Sequence, residues 1–298
     1  MIRTIIAERN GKKQCNHSVL AMCHCIDLSK KQEVMKMSER ILKYPRTRHL
    51  QGSRLQAGDE DLSQIPFSEI LGKHIVIEEK IDGANSAISF DEDGNLLLQS
   101  RGHYLRGGYN ERHYNLMKRW ANANSEILYE SLESRYIMYG EWMYAKHTVF
   151  YDALPDYFME FDIFDRERGV FLDTDSRRKI TEPMRIISSV PVLASGVFHK
   201  KENILNYMGN SRYITENHIE TLRTLAKRQN LDVERQVRET DPSLTMEGLY
   251  IKVEADGVVK DRMKFVRNSF YQCLNESGSH WQQRPIIPNQ LAGKNEDE

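Results

Sequence analysis

An α+β fold of mostly antiparallel sheets with flanking helices is what this 298-residue sequence predicts. Strand-like runs come in neighbouring pairs joined by Gly-containing turns, and helical periodicity is confined to stretches between them. The regular strand–helix–strand beat of a doubly wound fold is missing.

Residues 1–37 show no periodicity and are expected to be a poorly ordered leader, with the domain proper starting at Ser38. Cys15, His17, Cys23, His24 and Cys25 place thiolate and imidazole groups in that leader, but their C-x-H and C-H-C spacings do not reproduce zinc patterns. Cys273 stands alone, so no disulfide framework is expected either. From Ile75 the pattern turns strand-like: Ile75-Val76-Ile77 runs into Glu79-Lys80, then Ala87–Phe90 and Leu96–Leu98 flank an Asp93-Gly94 hairpin turn. Met117, Trp120, Ala121 and Leu128 predict a helix lying on a sheet within residues 111–132. Strands return at Tyr136–Trp142 and Tyr157–Phe164, and Ile219, Leu222, Leu225 and Ala226 line one face of a helix over Thr215–Gln229. Leu249–Glu254 and Val258–Val266 form a last hairpin around Ala255-Asp256-Gly257. Residues 268–298 are a short C-terminal extension, too short for a domain of ordinary size, with a frayed acidic end.

Lys and Arg (42) nearly cancel Asp and Glu (43), so no global field draws this chain onto nucleic acid, and such a partner needs a local basic groove. A hydrophobic content of 40% is ample for a core, which argues against disorder. No apolar run approaches the roughly 18 residues that span a bilayer, and the N-terminus lacks a secretory pattern. The expectation is a cytoplasmic protein with no membrane partner.

Glu79-Lys80-Ile81-Asp82-Gly83-Ala84-Asn85 sits where a buried strand gives way to a turn, a place from which a lysine can be aimed into a cleft. The competing reading is a solvated lysine before an Asp-Gly turn. Further segments follow in order, and with them Lys80-Ile81-Asp82-Gly83 resembles the nucleophile motif of ATP-dependent DNA ligases, RNA ligases and messenger RNA capping enzymes. Ser100-Arg101-Gly102 is similar to their ribose-contacting motif, and Tyr139-Gly140-Glu141-Trp142 to the segment whose glutamate holds a ribose hydroxyl. Phe158–Phe164 resembles the strand that stacks the purine, with Phe161 the better match to the stacking ring and Phe158 the alternative. Glu247-Gly248-Leu249-Tyr250-Ile251-Lys252 resembles the E-G-x-x-x-K motif, and Arg262-Met263-Lys264 the final basic pair, with arginine where the family usually has lysine. Within the superfamily the Ala84-Asn85 pair, the short Gly-Glu-Trp segment and the expected lack of a C-terminal OB-fold resemble bacterial and phage RNA ligases.

The resemblance implies a nucleotidyltransferase (ATP-grasp-like) domain over residues 38–267 that uses ATP with Mg²⁺ or Mn²⁺. Lys80 takes AMP, passes it to a 5′-phosphate end, and a 3′-hydroxyl displaces it. Lys80, Glu247 and Lys264 are then catalytic, and Glu79, Arg101, Glu141, Phe161, Lys252, Arg262 and Lys264 hold the nucleotide. Glu247 is the metal-linked carboxylate. Lysine attacks only as a neutral amine, so Lys252, Arg262, Lys264 and the metal are expected to surround Lys80 and favour its deprotonation. Arg262 and Lys264, two apart on a strand, share a face, whereas Glu247 and Lys252 have opposite parity.

Asp82, Asn85, Arg46, Arg48 and Arg106 are candidate substrate contacts, with Arg54, Arg112, Lys118 and Arg119 as further basic candidates. Lys43–Leu50 is basic and aromatic enough to touch a strand end, and His280 and Trp281 are weighed as base-stacking residues against ordinary surface packing. The expected partner is an RNA end, and the protein is expected to be a monomer that works beside an end-processing kinase or phosphatase in RNA repair. A DNA nick-sealing ligase, a GTP-using guanylyltransferase and a non-catalytic end-binding protein are the alternatives.

Overall fold

Along the chain the strands are β1 (Arg48–His49), β2 (His74–Lys80), β3 (Ala84–Phe90), β4 (Leu96–Ser100), β5 (Tyr136–Trp142), β6 (Phe158–Asp165), β7 (Val170–Phe171), β8 (Ser188–Ser189), β9 (Val192–Val197), β10 (Gly248–Ala255) and β11 (Val258–Val266). The helices are α1 (Asn115–Ala123), α2 (Ser125–Leu132), α3 (Thr174–Thr181), α4 (Lys201–Leu205), α5 (His218–Arg228) and α6 (Val233–Arg238). The computed structural model describes residues 41–53, 55, 63–270 and 284–293. The leader, its cysteine–histidine cluster, Ser38, Arg54, Cys273, His280, Trp281 and the acidic end lie outside the described residues. The chain divides into Met1–Leu42 and Lys43–Glu298, and the elements above belong to the second unit.

Strand alternation builds the first sheet, ordered β1-β11-β10-β2-β9. Ile75, Ile77, Leu249, Ile251 and Met263 fall on one face and are buried with Leu50, Phe67 and Ile70, each such side chain contributing on the order of 1.5–3 kcal/mol. The opposite face carries Glu78, Lys80, Tyr250, Lys252, Arg262 and Lys264, since Lys252 stands across from Arg262 and Tyr250 from both Lys264 and Glu78. In the β10–β11 hairpin Asp256 (φ 57°) and Gly257 (φ 77°) are both left-handed, the turn that matches the twist of two antiparallel strands.

The second sheet is ordered β4-β3-β5-β6-β7, with β8 alongside β6. One face packs Ile88, Met138, Trp142, Phe158 and Ile163 against Met117, Ala121, Leu128 and Leu132 of α1 and α2. The helical stretch expected within 111–132 is thus real but broken at Asn124, whose side-chain amide donates to the Trp120 carbonyl at 2.8 Å. The remaining face packs Ala87, Tyr139, Met159 and Phe161 toward Tyr44 and Val266 of the first sheet's side. Pairing among these strands is antiparallel except β1 with β11 and β6 with β8, as the hairpin pattern predicts. Residues 284–293 also pack on the fold, with Ile287 buried against Phe150, Leu222 and Leu225.

Candidate active site

The Ile81-Asp82-Gly83 turn carries the chain from β2 in one sheet to β3 in the other, so Lys80 stands where the two sheets meet. Its Nζ donates to Glu247 Oε2 at 2.7 Å. Glu247 precedes β10 and is free of the strand's alternation, which removes the parity conflict with Lys252. Gly248 lies directly across from Lys80, and a Cβ there would meet the Phe265 carbonyl oxygen at 2.2 Å. Only glycine lets β10 start this close to β11, with Glu247 beside the lysine.

Glu141 on β5 stands across from Asn85 on β3. Its Oε2 is buried with no hydrogen-bond partner among the described residues, a free acceptor of the kind a nucleotide hydroxyl satisfies. Asp82 turns inward: Oδ2 accepts the Thr148 N–H at 2.7 Å and the Val149 N–H at 2.9 Å. It therefore shapes the turn behind the nucleophile.

Burial pushes the Glu141 carboxyl up to about 8 against the pull of Lys80, with Glu247 and Asp82 adding to the rise. Glu247 is likewise pushed up by burial to about 7, opposed by Lys80 and Lys264. For Lys80 burial disfavours the charged amine, yet Glu247, Glu141 and Asp82 outweigh it and hold the lysine above its ordinary value. This corrects the expectation that cations crowd Lys80. Two of the three stand elsewhere: Lys252 Nζ meets Glu78 at 2.9 Å and Asp162 at 3.1 Å, and Arg262 lies 3.9 Å over the Phe171 ring, near Asp162. Lys264, half-buried on the same face, remains close enough to act on Glu247.

Two residues along β2 from Lys80, or roughly 7 Å, the buried charges gather. Arg177 of α3 reaches Glu78 at 2.6 Å and Glu160 at 3.5 Å, and both Arg177 and Lys252 donate to the Phe161 carbonyl. On β6 the pairing passes from Glu160 across from Gly140 to Asp162 across from Tyr139, leaving Phe161 as an extra residue. That bulge lets consecutive side chains meet the first sheet: Phe161 packs against Tyr44 and Tyr250, at ring separations of 5.0 and 6.4 Å, while Asp162 meets Lys252 and Tyr44. Phe158 lies on the helix-side face, stacked with Trp120, so Phe161 is the ring on Lys80's side.

The remaining candidates divide. Arg101 is exposed and close enough to act on Glu141. Glu79 faces away from Lys80, across from Leu249, in the apolar layer. Arg48 is paired with Asp261 and Lys118 with Glu111, while Arg46, Arg106 and Arg119 are exposed and Arg112 is half-buried. Within Lys43–Leu50, Tyr44 and Thr47 are buried beside Tyr250, the Tyr44 hydroxyl lying 2.7 Å and the Thr47 hydroxyl 3.1 Å from the Tyr250 hydroxyl, while Lys43 and Arg46 are exposed. Sequence reading missed Glu78, Tyr250 and Arg177. The first two were available from their shared parity with Lys80 and Lys252, but Arg177 carries no local signal.

No three His, Cys, Asp or Glu side chains among the described residues form a ready-made metal cage. Two buried carboxylates that resist ionisation, Glu141 and Glu247, nevertheless fit a divalent ion that brings phosphate oxygens with it. No helix among the described residues is long and apolar enough to cross a membrane.

The RNA ligase family model matches residues 73–266. Solved structures of a Naegleria gruberi RNA ligase are similar in part. A mutant with ATP and Mn is 19% identical, with 78% of this chain and 58% of that chain covered and a TM-score of 0.49. The same ligase with PPi is 18% identical, with 78% and 57% covered and a TM-score of 0.45. The chain spans less than two thirds of the length of these relatives. Comparison with curated proteins finds no match.

Proposed function

This chain belongs to the RNA ligase family, and from that premise we propose that it is an ATP-dependent RNA ligase acting through a lysyl-AMP intermediate on Lys80. The observation that carries the reading is the Lys80–Glu247 contact of 2.7 Å at the junction of the two sheets, flanked by Glu141. Residues 38–267 are read as the covalent nucleotidyltransferase domain, with 268–298 as a short C-terminal extension.

Lys80 must shed a proton before its nitrogen attacks the α-phosphorus, breaking the bond to the bridging oxygen and releasing pyrophosphate. Glu247 Oε2 is within hydrogen-bond reach and, at about 7, is matched to accept that proton near neutral pH. Phe161 offers its ring to the purine, the Glu141 Oε2 atom accepts a ribose hydroxyl, and Arg101 lies beside it. Lys264, with Lys252 and Arg262 further along the face, supplies positive charge against the phosphates. Glu247 and the nucleotide phosphates would hold Mg²⁺ or Mn²⁺, which supplies charge neutralisation when bound. The same lysyl-AMP then activates a 5′-phosphate, and a 3′-hydroxyl completes the phosphodiester with release of AMP. RNA ends are the substrate, prepared by a kinase or phosphatase, and the enzyme acts as a cytoplasmic monomer in RNA repair.

The test is incubation with α-labelled ATP or GTP and Mg²⁺, then denaturing electrophoresis, beside Lys80→Ala. Label from ATP that is absent in the variant and chased by 5′-phosphorylated RNA into sealed product supports the reading. Label from GTP alone points to guanylyl transfer, a chase into nicked DNA but not RNA points to a DNA ligase, and no label from either nucleotide overturns the enzymatic reading.

A further inference from the structure

After β4 the chain doubles back and carries an aromatic ring into solvent on a rigid mount. The Ser100 N–H donates to the His103 carbonyl at 2.9 Å to close the turn, and the Leu105 N–H donates to the Leu98 carbonyl at 2.8 Å, laying residues 104–105 along the sheet edge. Gly107 and Gly108, with φ of 115° and 116°, then swing the chain out into a short 3-10 helix, Tyr109–Tyr114. Glu111 locks this loop from inside: its carboxylate accepts the Arg106 N–H at 3.2 Å and the Gly107 N–H at 2.8 Å, and Lys118 neutralises it. The far end is bolted to the site. Trp142 Nε1, next to Glu141, donates to the His113 carbonyl at 2.9 Å, and buried Tyr114 reaches Ser86 and feels Glu141.

Tyr109 on this mount is 78% exposed. One face of its ring is covered by the Arg112 guanidinium at 4.8 Å, which leaves the other face to water. Arg106 lies 5.9 Å over Tyr104 in the same loop. Residues 100–110 contain three basic side chains, Arg101, His103 and Arg106, and no acidic one. An open aromatic face backed by arginine, on a loop that carries further cations, matches the stacking surfaces that hold unpaired bases over a tracked phosphate backbone. A protein partner would not require the cations, and a duplex would offer no base face except at its end.

We propose that Tyr109, backed by Arg112, is the platform on which an unpaired base of a single-stranded RNA end stacks, with Arg106 and Arg101 leading its phosphates toward Lys80. The proposal rests on the RNA ligase reading above and names a subsite for its polynucleotide. Stacking selects for an unpaired segment, so the platform makes this enzyme prefer single-stranded ends over a fully paired nick.

The test measures binding of a fluorophore-labelled, 5′-phosphorylated oligouridylate and of a blunt RNA hairpin to the full chain by anisotropy, for wild type, Tyr109→Ala, Tyr109→Trp and Arg112→Ala. Tyr109→Ala is expected to weaken the single strand about tenfold while Tyr109→Trp stays within about twofold of wild type, as stacking energies per base imply. Arg112→Ala should lower the salt slope of single-strand binding by about 0.7 if its guanidinium also meets one phosphate. Mass-detected AMP loading, which needs no RNA, reports that each variant is folded. Failure of wild type to load AMP would count against the ligase reading alone, because the anisotropy still decides the platform. Single-strand binding unchanged in Tyr109→Ala, or hairpin and single strand weakened alike, overturns the proposal.

Discussion

Lys80 and Glu247 are separated by 167 positions in the chain, yet Nζ and Oε2 meet at 2.7 Å because β10 pairs with β2 so that Gly248 opposes Lys80. Removing the carboxylate removes both the partner that holds the lysine proton and its nearest acceptor. Glu247→Gln should cut formation of the labelled adenylate by about 10²-fold or more, and Lys80→Ala should abolish it. Single-turnover labelling at saturating ATP checks this, and near-wild-type rates in Glu247→Gln would remove Glu247 from the proton step.

Gly248→Ala places a Cβ 2.2 Å from the Phe265 carbonyl oxygen, and backbone cannot move aside as a side chain can. The expected outcome is a loss of about 1–3 kcal/mol, as for other overpacked sites, together with a slower adenylylation as the start of β10 shifts. Urea unfolding paired with the labelling assay measures both. A variant as stable and active as wild type would show that the start of β10 is not held as described.

Arg177 is buried, donates to Glu78 and to the Phe161 carbonyl, and forms an ion pair with Glu160. Arg177→Met leaves Glu160 buried without its ion-pair partner and Glu78 with Lys252 alone, and should cost about 3–5 kcal/mol. Arg177→Lys keeps the charge but not the fork, so a folded Arg177→Lys is expected to raise KM for ATP more than it lowers kcat, through a displaced Phe161. Equal KM values in that variant would separate the network from nucleotide binding.

Glu79 is buried in the apolar layer of the first sheet, beside Ser211 and Arg212. Burial pushes it from 4.5 to about 7, against Ser211 and Arg212. A carboxyl raised on folding binds its proton more tightly in the folded state, so its contribution is greatest below 4.5 and is lost as pH rises through about 7. The free protein should therefore lose stability between those values, with Glu141 and Glu247 acting in the same direction. Glu79→Gln should lessen the decline by about 2–3 kcal/mol. Urea midpoints at pH 5 and pH 8 measure it, and parallel declines in wild type and variant would refute the assignment.

Much of this molecule is legible in local pattern. Short strand-like runs bounded by turn residues located β2, β5, β6 and the β10–β11 hairpin to within a residue or two, because strands buried on both faces read as near-continuous stretches of apolar residues. The β1, β7 and β8 strands have two residues each, too few to show any period, and α3 with Arg177 lies in a stretch without a readable motif.

Chemical type and chain order were enough to single out Lys80, Glu141, Glu247 and the family they resemble, since those properties are written residue by residue. Which groups surround Lys80 was not, because neighbours across sheets depend on register and on where one strand hands over to the next. Only the folded chain places carboxylates rather than cations beside Lys80 and ties Lys252 to Glu78 and Asp162. The bulge at Phe161 shows the same limit: one unpaired residue turns its ring toward Tyr250 while Phe158 faces the helices. An extra residue in a ladder is a property of two strands together, and neither strand's own sequence contains it.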